Sequence, residues 1–241
     1  MGANCSKTTI MIPFIIYIFL KKYSKKSRAV TGLQISKYLK VRLQIIFIGM
    51  VILFLALIPV ILKSQSSLLH YKIVQGGDDI GWLRLEKNIR GIRTNLSLVS
   101  ELKTRVIFLI EVSSKETSLF ENGQLLYSSQ YRKTNGTVKV NKETWRVADK
   151  YVVNNNGEKQ YLSIPVVVTN LLSMYFQEPI SLGTVYCDKY ETFIKITKTD
   201  DGGYKVEFPD GNSNTFYYTW GICTKVKISH TFYTAQIIKT S

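Results

Sequence analysis

From Leu69 onward, apolar residues recur mainly at every second position, the spacing that puts alternate side chains on one face of a β-strand. Leu69, Tyr71 and Ile73 alternate with His70 and Lys72, and Gly76-Gly77-Asp78-Asp79 supplies a turn into Ile80 to Lys87, which together predict a β-hairpin. Leu96 to Leu102 alternates next, and Thr104 to Val112 is read as one strand with Val106, Phe108, Ile110 and Val112 on a single side. Glu121-Asn122-Gly123-Gln124 is a tight turn, because Asn-Gly tolerates positive φ at both central positions, and Leu125 to Tyr131 is the return strand. Asn135-Gly136 and Asn154-Asn155-Asn156-Gly157 mark further turns around strands at Val138 to Val140 and Thr144 to Val153.

One segment leaves the two-residue period. From Ser163 to Phe176 the apolar residues Val167, Leu171, Met174 and Tyr175 fall at helical spacing, with Ser163 suited to an N-cap, Pro165 to the first turn and Pro179 beyond the end. This predicts a short helix over about residues 164–177, packed by its apolar stripe on the sheet. Val-Val-Val is a weak helix former, so a β-branched strand at Pro165 to Thr169 is the alternative. Strands follow at Gly183 to Cys187, Glu191 to Thr199, Tyr204 to Phe208, Thr215 to Trp220, Cys223 to Ser229 and Phe232 to Ile238. The fold class is therefore mostly β: about a dozen strands in one antiparallel sheet, curved into a sandwich or a partly open barrel, with one short helix.

Ahead of this domain the pattern changes in kind. Ile45 to Leu62 is an uncharged apolar run, and 18 residues of helix span about 27 Å, close to the bilayer core. It reads either as a transmembrane helix or as the core of a signal peptide, with Ser64-Gln65-Ser66 offering small residues for cleavage between Ser66 and Ser67. A shorter apolar run at residues 8–20 contains Pro13 and is short for a span. Residues 1–44 form a basic leader, read as cytoplasmic because eight Lys and Arg lie between Lys21 and Arg42, and a start codon assigned too early is one reading of its first 32 or so residues. Residues 67–241 then form a single exported domain, periplasmic or extracellular, anchored by the 45–62 segment or released from it.

Charge changes the picture once it is located. The net charge is +15, but ten of the 32 basic residues and none of the 17 acidic ones precede residue 67. That leaves 22 against 17, a net +5 with the signs interspersed, and no dense basic stripe for nucleic acid. The membrane, through residues 45–62, is the partner the pattern itself implies, and the basic leader suits anionic lipid head groups.

The stretch Met174-Tyr175-Phe176-Gln177-Glu178-Pro179, then Gly183-Thr184-Val185-Tyr186, Tyr204-Lys205-Val206, Pro209-Asp210-Gly211 with Asn214, and Tyr218-Thr219-Trp220-Gly221, resembles a family of bacterial envelope proteins known only as a domain of unknown function. Tyr71-Lys72-Ile73 with Ile80-Gly81 is similar to that family's first hairpin, so the resemblance covers roughly residues 68–238. It implies an exported antiparallel β protein and brings no activity, ligand or catalytic residue.

Few residues suggest chemistry. His70 and His230 have no His-x-His or Glu-x-x-His spacing nearby, and a Cys223–His230 nucleophile pair has only its spacing of seven residues in its favour. Cys187 and Cys223 are either a disulfide, allowed by an oxidising compartment, or two buried thiols. Asp78-Asp79, Asp200-Asp201 and Asp210 sit in Gly-rich turns without the ligand spacing of a calcium loop. Nucleotide motifs are absent, and Met1-Gly2 with Cys5, Asn95-Leu96-Ser97 and Asn135-Gly136-Thr137 match short modification patterns that chance readily produces. No catalytic, cofactor-binding or metal residue is assigned. The expectation is a non-enzymatic envelope protein that binds an apolar ligand, a lipid or a protein partner; the alternative is an extracytoplasmic hydrolase whose carboxylates meet only in space.

Overall fold

The computed structural model describes residues 46–50, 65–105 and 109–240. The chain divides into two units, Met1–Ile61 and Leu62–Ser241. Of the first, residues 46–50 are helical, with Ile46, Phe47, Ile48 and Met50 exposed. The apolar run at 8–20, the basic leader and the rest of 45–62 lie outside the described residues, and among those described no helix is long and apolar enough to cross a membrane.

The second unit is one antiparallel sheet of fourteen strands. They are β1 (Gln65–Gln75), β2 (Asp78–Arg90), β3 (Arg93–Arg105), β4 (Leu109–Glu121), β5 (Gln124–Thr134), β6 (Thr137–Val147), β7 (Lys150–Asn155), β8 (Glu158–Leu162), β9 (Thr184–Cys187), β10 (Thr192–Lys198), β11 (Tyr204–Glu207), β12 (Ser213–Thr219), β13 (Ile222–His230) and β14 (Tyr233–Lys239). Neighbours in sequence are neighbours in space except at one place, where β1 pairs with β14 through Tyr71↔Lys239 to Val74↔Gln236. β8 and β9 are thus the two edges, and the sheet is not closed. Its inward faces nonetheless share one core, in which Tyr71, Leu85 and Leu125 meet Val185, Val206 and Val226. That contact requires the sheet to curve back on itself, and bulges at Ile73/Val74, Leu119/Phe120, Arg132/Lys133 and Tyr217/Tyr218 supply local bending.

Local chemistry accounts for most of the hairpins. Asn122-Gly123 and Asn135-Gly136 take positive φ at both positions, 50° and 73° in the first, as a two-residue turn between twisted strands demands. Two strand boundaries differ from expectation. Thr104 to Val112 is not one strand: Thr104 ends β3 and pairs with Ile110 of β4 across a hairpin, with Val106 and Phe108 outside the described residues. Thr144 to Val153 is also divided, at Ala148-Asp149 between β6 and β7, where Ala148 sits at φ 55°. Neither turn carries Gly, Pro or Asn, so nothing in the sequence marks either reversal.

The expected helix over 164–177 is replaced by an extended crossing with a single 3₁₀ turn at Ser173–Tyr175. Before that turn the backbone bonds to the sheet: Leu125 N–H donates to the Val167 carbonyl, Tyr186 N–H to that of Thr169, and Asn170 bridges Tyr186 in parallel. Val166, Val167 and Val168 have a poor helical alternative, and these sheet bonds satisfy their neighbourhood instead. The crossing buries Val167, Met174 and Tyr175 of the expected stripe together with Leu172 and Phe176, and leaves Leu171 half-buried.

Candidate functional site

The turns after β2, β4, β6 and β12 lie at one end of the sheet, and those after β1, β3, β5 and β13 at the other. The crossing segment closes the first end. It bonds to Leu125, just after the β4–β5 turn, and Glu178 N–H donates to the Gly221 carbonyl in the β12–β13 turn. Behind it, Tyr175 packs edge-on between Tyr71 and Phe216, with ring centroids at 5.5 and 5.7 Å.

Strand β4 measures the interior from the other end. Ile110, Val112, Ser114, Glu116, Ser118 and Phe120 share its inward face, about 7 Å apart for each pair of residues. The first four line a cavity of about 590 Å³, whose mouth is ringed by Gln75, Thr104, Thr134 and Phe232. Its walls are mainly aliphatic, with Leu83, Leu98 and Ile237 deepest. Gly81 permits the close approach of β2 to β3 beside it, since a Cβ there would stand 2.2 Å from the Glu101 carbonyl oxygen.

Below the cavity lies a layer of polar side chains. Asn170 Nδ2 donates to Ser118 Oγ at 2.8 Å and to Asp188 Oδ2 at 3.1 Å, while Ser128 Oγ donates to Asp188 Oδ1 at 2.5 Å. Lys142 pairs with Glu191 at 2.5 Å and reaches the Asp188 and Lys189 carbonyls. Burial pushes the Asp188 carboxyl above the ordinary range, against the pull of Ser128, Asn170 and Lys142. Glu116 sits between this layer and the cavity. Its carboxyl is pushed up to about 6, first by burial and then by Asp188, with Arg132 and Gln130 opposing.

The residues singled out from sequence are dispersed. Ser66 and Ser67 are exposed in β1, paired with Asn88 and Lys87. Cys187 and Cys223 are separate buried thiols, raised by burial to about 11 and about 12, which makes them poor nucleophiles. Cys223 and His230 occupy the two ends of β13, about 23 Å apart along the strand, and His230 stacks on Tyr233. His70 lies on β1, where its carbonyl accepts from Thr240 N–H. The turn carboxylates have local partners: Asp79 pairs with Lys72, Asp201 accepts from Tyr217, and Asp210 accepts from Tyr190 and Lys189. Among the described residues no three His, Cys, Asp or Glu side chains gather as a metal site requires.

Glu116 and Arg132 escaped the sequence reading, although a signal existed. Continuing the parity of Ile110 and Val112 for four more residues puts a carboxylate on the buried face of a strand, where charge is rare.

A β-barrel-like protein of the domain of unknown function DUF1849 from Brucella abortus is similar in structure, at 13% identity and a TM-score of 0.46, over 72% of this chain and 95% of that one. No curated protein matches the sequence. Over residues 71–240 the sequence matches the family described as "Domain of unknown function (DUF6134)", and the protein belongs to that family.

Proposed function

We propose that this is an exported envelope protein, held by or released from its 45–62 segment, that binds an apolar ligand in the open half of its curved sheet and performs no reaction on it. The observation that carries the binding reading is the cavity: about 590 Å³, walled by aliphatic side chains and open at one end. That volume lies within the few hundred to one thousand Å³ of small-molecule sites, and a few polar groups among apolar walls is their usual composition. Export rests on the apolar run and on the basic residues that precede it.

The hydrolase alternative calls for two carboxylates facing one cleft. Glu116 lines the cavity, but both oxygens of Asp188 are engaged by Ser128 and Asn170 in the layer behind it.

The test is titration with an environment-sensitive apolar fluorophore, repeated on Ala235→Trp. Ala235 is buried in the cavity wall, and an indole there would project into the space that the ligand must occupy. Saturable binding by the native protein, lost in Ala235→Trp while far-UV circular dichroism is unchanged, is the expected result. Absence of saturable binding to the native protein would refute it.

A further inference from the structure

The cavity wall is polar on one arc and apolar on the other. Ser100 on β3, Ser114 on β4 and Arg132 on β5 are successive cross-strand partners, Ser100↔Ser114 and Ser114↔Arg132, and all three line the cavity. Partners in register stand about 5 Å apart, so two hydroxyls and a guanidinium form one continuous row. Across the cavity, β1, β14 and β13 present Ile73, Ala235, Ile237 and Ile228. The row lies about 13 Å inside the mouth, counted from Ile110 to Ser114 along β4.

The two charged residues lining this space differ in what already occupies them. Glu116, the cross-strand partner of Gln130, has a second acid, Asp188, close behind it and feels the Arg132 charge on the neighbouring strand. Arg132 forms no ion pair within 4 Å among the described residues, although a lone guanidinium on a half-buried wall ordinarily acquires one. A bulge at Arg132/Lys133 sits between it and the following turn, a device that re-aims a strand residue. Its fork of donors, with the Ser114 hydroxyl beside it and that of Ser100 one strand further along, matches a planar two-oxygen acceptor.

We propose that the ligand is a single-chain acidic amphiphile, whose carboxylate is received by Arg132 with Ser114 and Ser100 while its hydrocarbon lies against the β1–β14–β13 arc. This rests on the cavity being a ligand site, and the assay separates the two ideas. Arg132 is a specificity residue here, since the apolar wall accepts any hydrocarbon of suitable length and only the row distinguishes head groups. Glu116 opposes the same anion.

The experiment is calorimetric titration of the full chain at pH 7.5 with dodecanoate, dodecanol and dodecylamine, each below its micelle concentration or solubility limit. The three share one tail and differ in head group. Dodecanoate should bind at least tenfold more tightly than dodecanol. Arg132→Gln should lose that preference while holding dodecanol within about twofold, and Glu116→Gln should increase the dodecanoate affinity severalfold. Retained dodecanol binding gives Arg132→Gln a readout that misfolding would not leave intact. Equal affinity for acid and alcohol in the native protein, preference for the amine, or an unchanged preference in Arg132→Gln would each overturn the proposal while leaving the cavity a binding site. Failure of all three probes together with the apolar fluorophore would overturn the cavity reading itself.

Discussion

The two ends of this sheet use the same alternation of inward side chains and reach opposite outcomes. At the end of the β4–β5 and β12–β13 turns, the crossing segment inserts Val167, Leu172, Met174 and Tyr175, and the interior is solid. At the end of the β3–β4 and β13–β14 turns no segment among the described residues inserts in that way, and a cavity is present. Strand curvature is common to both, so a wide curved sheet encloses more space than its own side chains fill. Solidity at the first end is a property of the added segment.

Removing the filling is the most forceful way to break that contrast. Tyr175→Ala would strip the ring that packs against Tyr71 and Phe216 and should cost about 3–5 kcal/mol, read from the urea midpoint. A loss under about 1 kcal/mol would mean that the crossing segment does not hold its end closed. Asn170→Ala comes next. It leaves Ser118 and the Asp188 carboxyl short of a donor in a buried layer, and about 2–3 kcal/mol should be lost, again by denaturation.

Glu116→Gln sharpens the boundary between the halves through its pH dependence. A carboxyl whose folded value is raised from 4.5 to about 6 is neutral in both states below pH 4.5, so its burial is free there. Between pH 4.5 and about 6 the unfolded state ionises while the folded state keeps its proton, so stability falls as pH rises, by up to about 2 kcal/mol, and the loss is complete above the folded value. The variant should therefore match the native protein near pH 4 and exceed it in stability by up to about 2 kcal/mol at pH 7.5. Equal stability at both pH values would show that Glu116 is not held in the low-dielectric position assigned to it. The smallest effect belongs to the open half: Leu102→Ala, on a wall that already faces empty space, should cost about 1 kcal/mol because few packing contacts are lost. A loss comparable to that of Tyr175→Ala would remove the distinction between the ends.

How much was legible follows from where each signal is encoded. The β1–β2, β4–β5 and β5–β6 hairpins are written locally, as alternation on either side of Gly-Gly or Asn-Gly. Ala148-Asp149 and the β3–β4 turn carry no such residues, and nothing in the sequence marks the reversal of the chain there. The crossing segment was misread as a helix because three valines and a four-residue apolar spacing fit two structures. The choice fell to the carbonyls of Val167 and Thr169, whose partners Leu125 and Tyr186 lie far away in sequence. The cavity row was invisible for the same reason: Ser100, Ser114 and Arg132 are unremarkable until register sets them side by side.

By itself the sequence determined that residues beyond about 68 form antiparallel β structure, where most turns fall, and that the basic excess lies ahead of residue 67, since each depends on neighbours a few residues apart. Only the tertiary structure decided that β1 pairs with β14, that residues 163–183 cross and fill one end, and that Arg132 and Glu116 face one cavity. Those features depend on the curvature of fourteen strands taken together, which no short window of residues specifies.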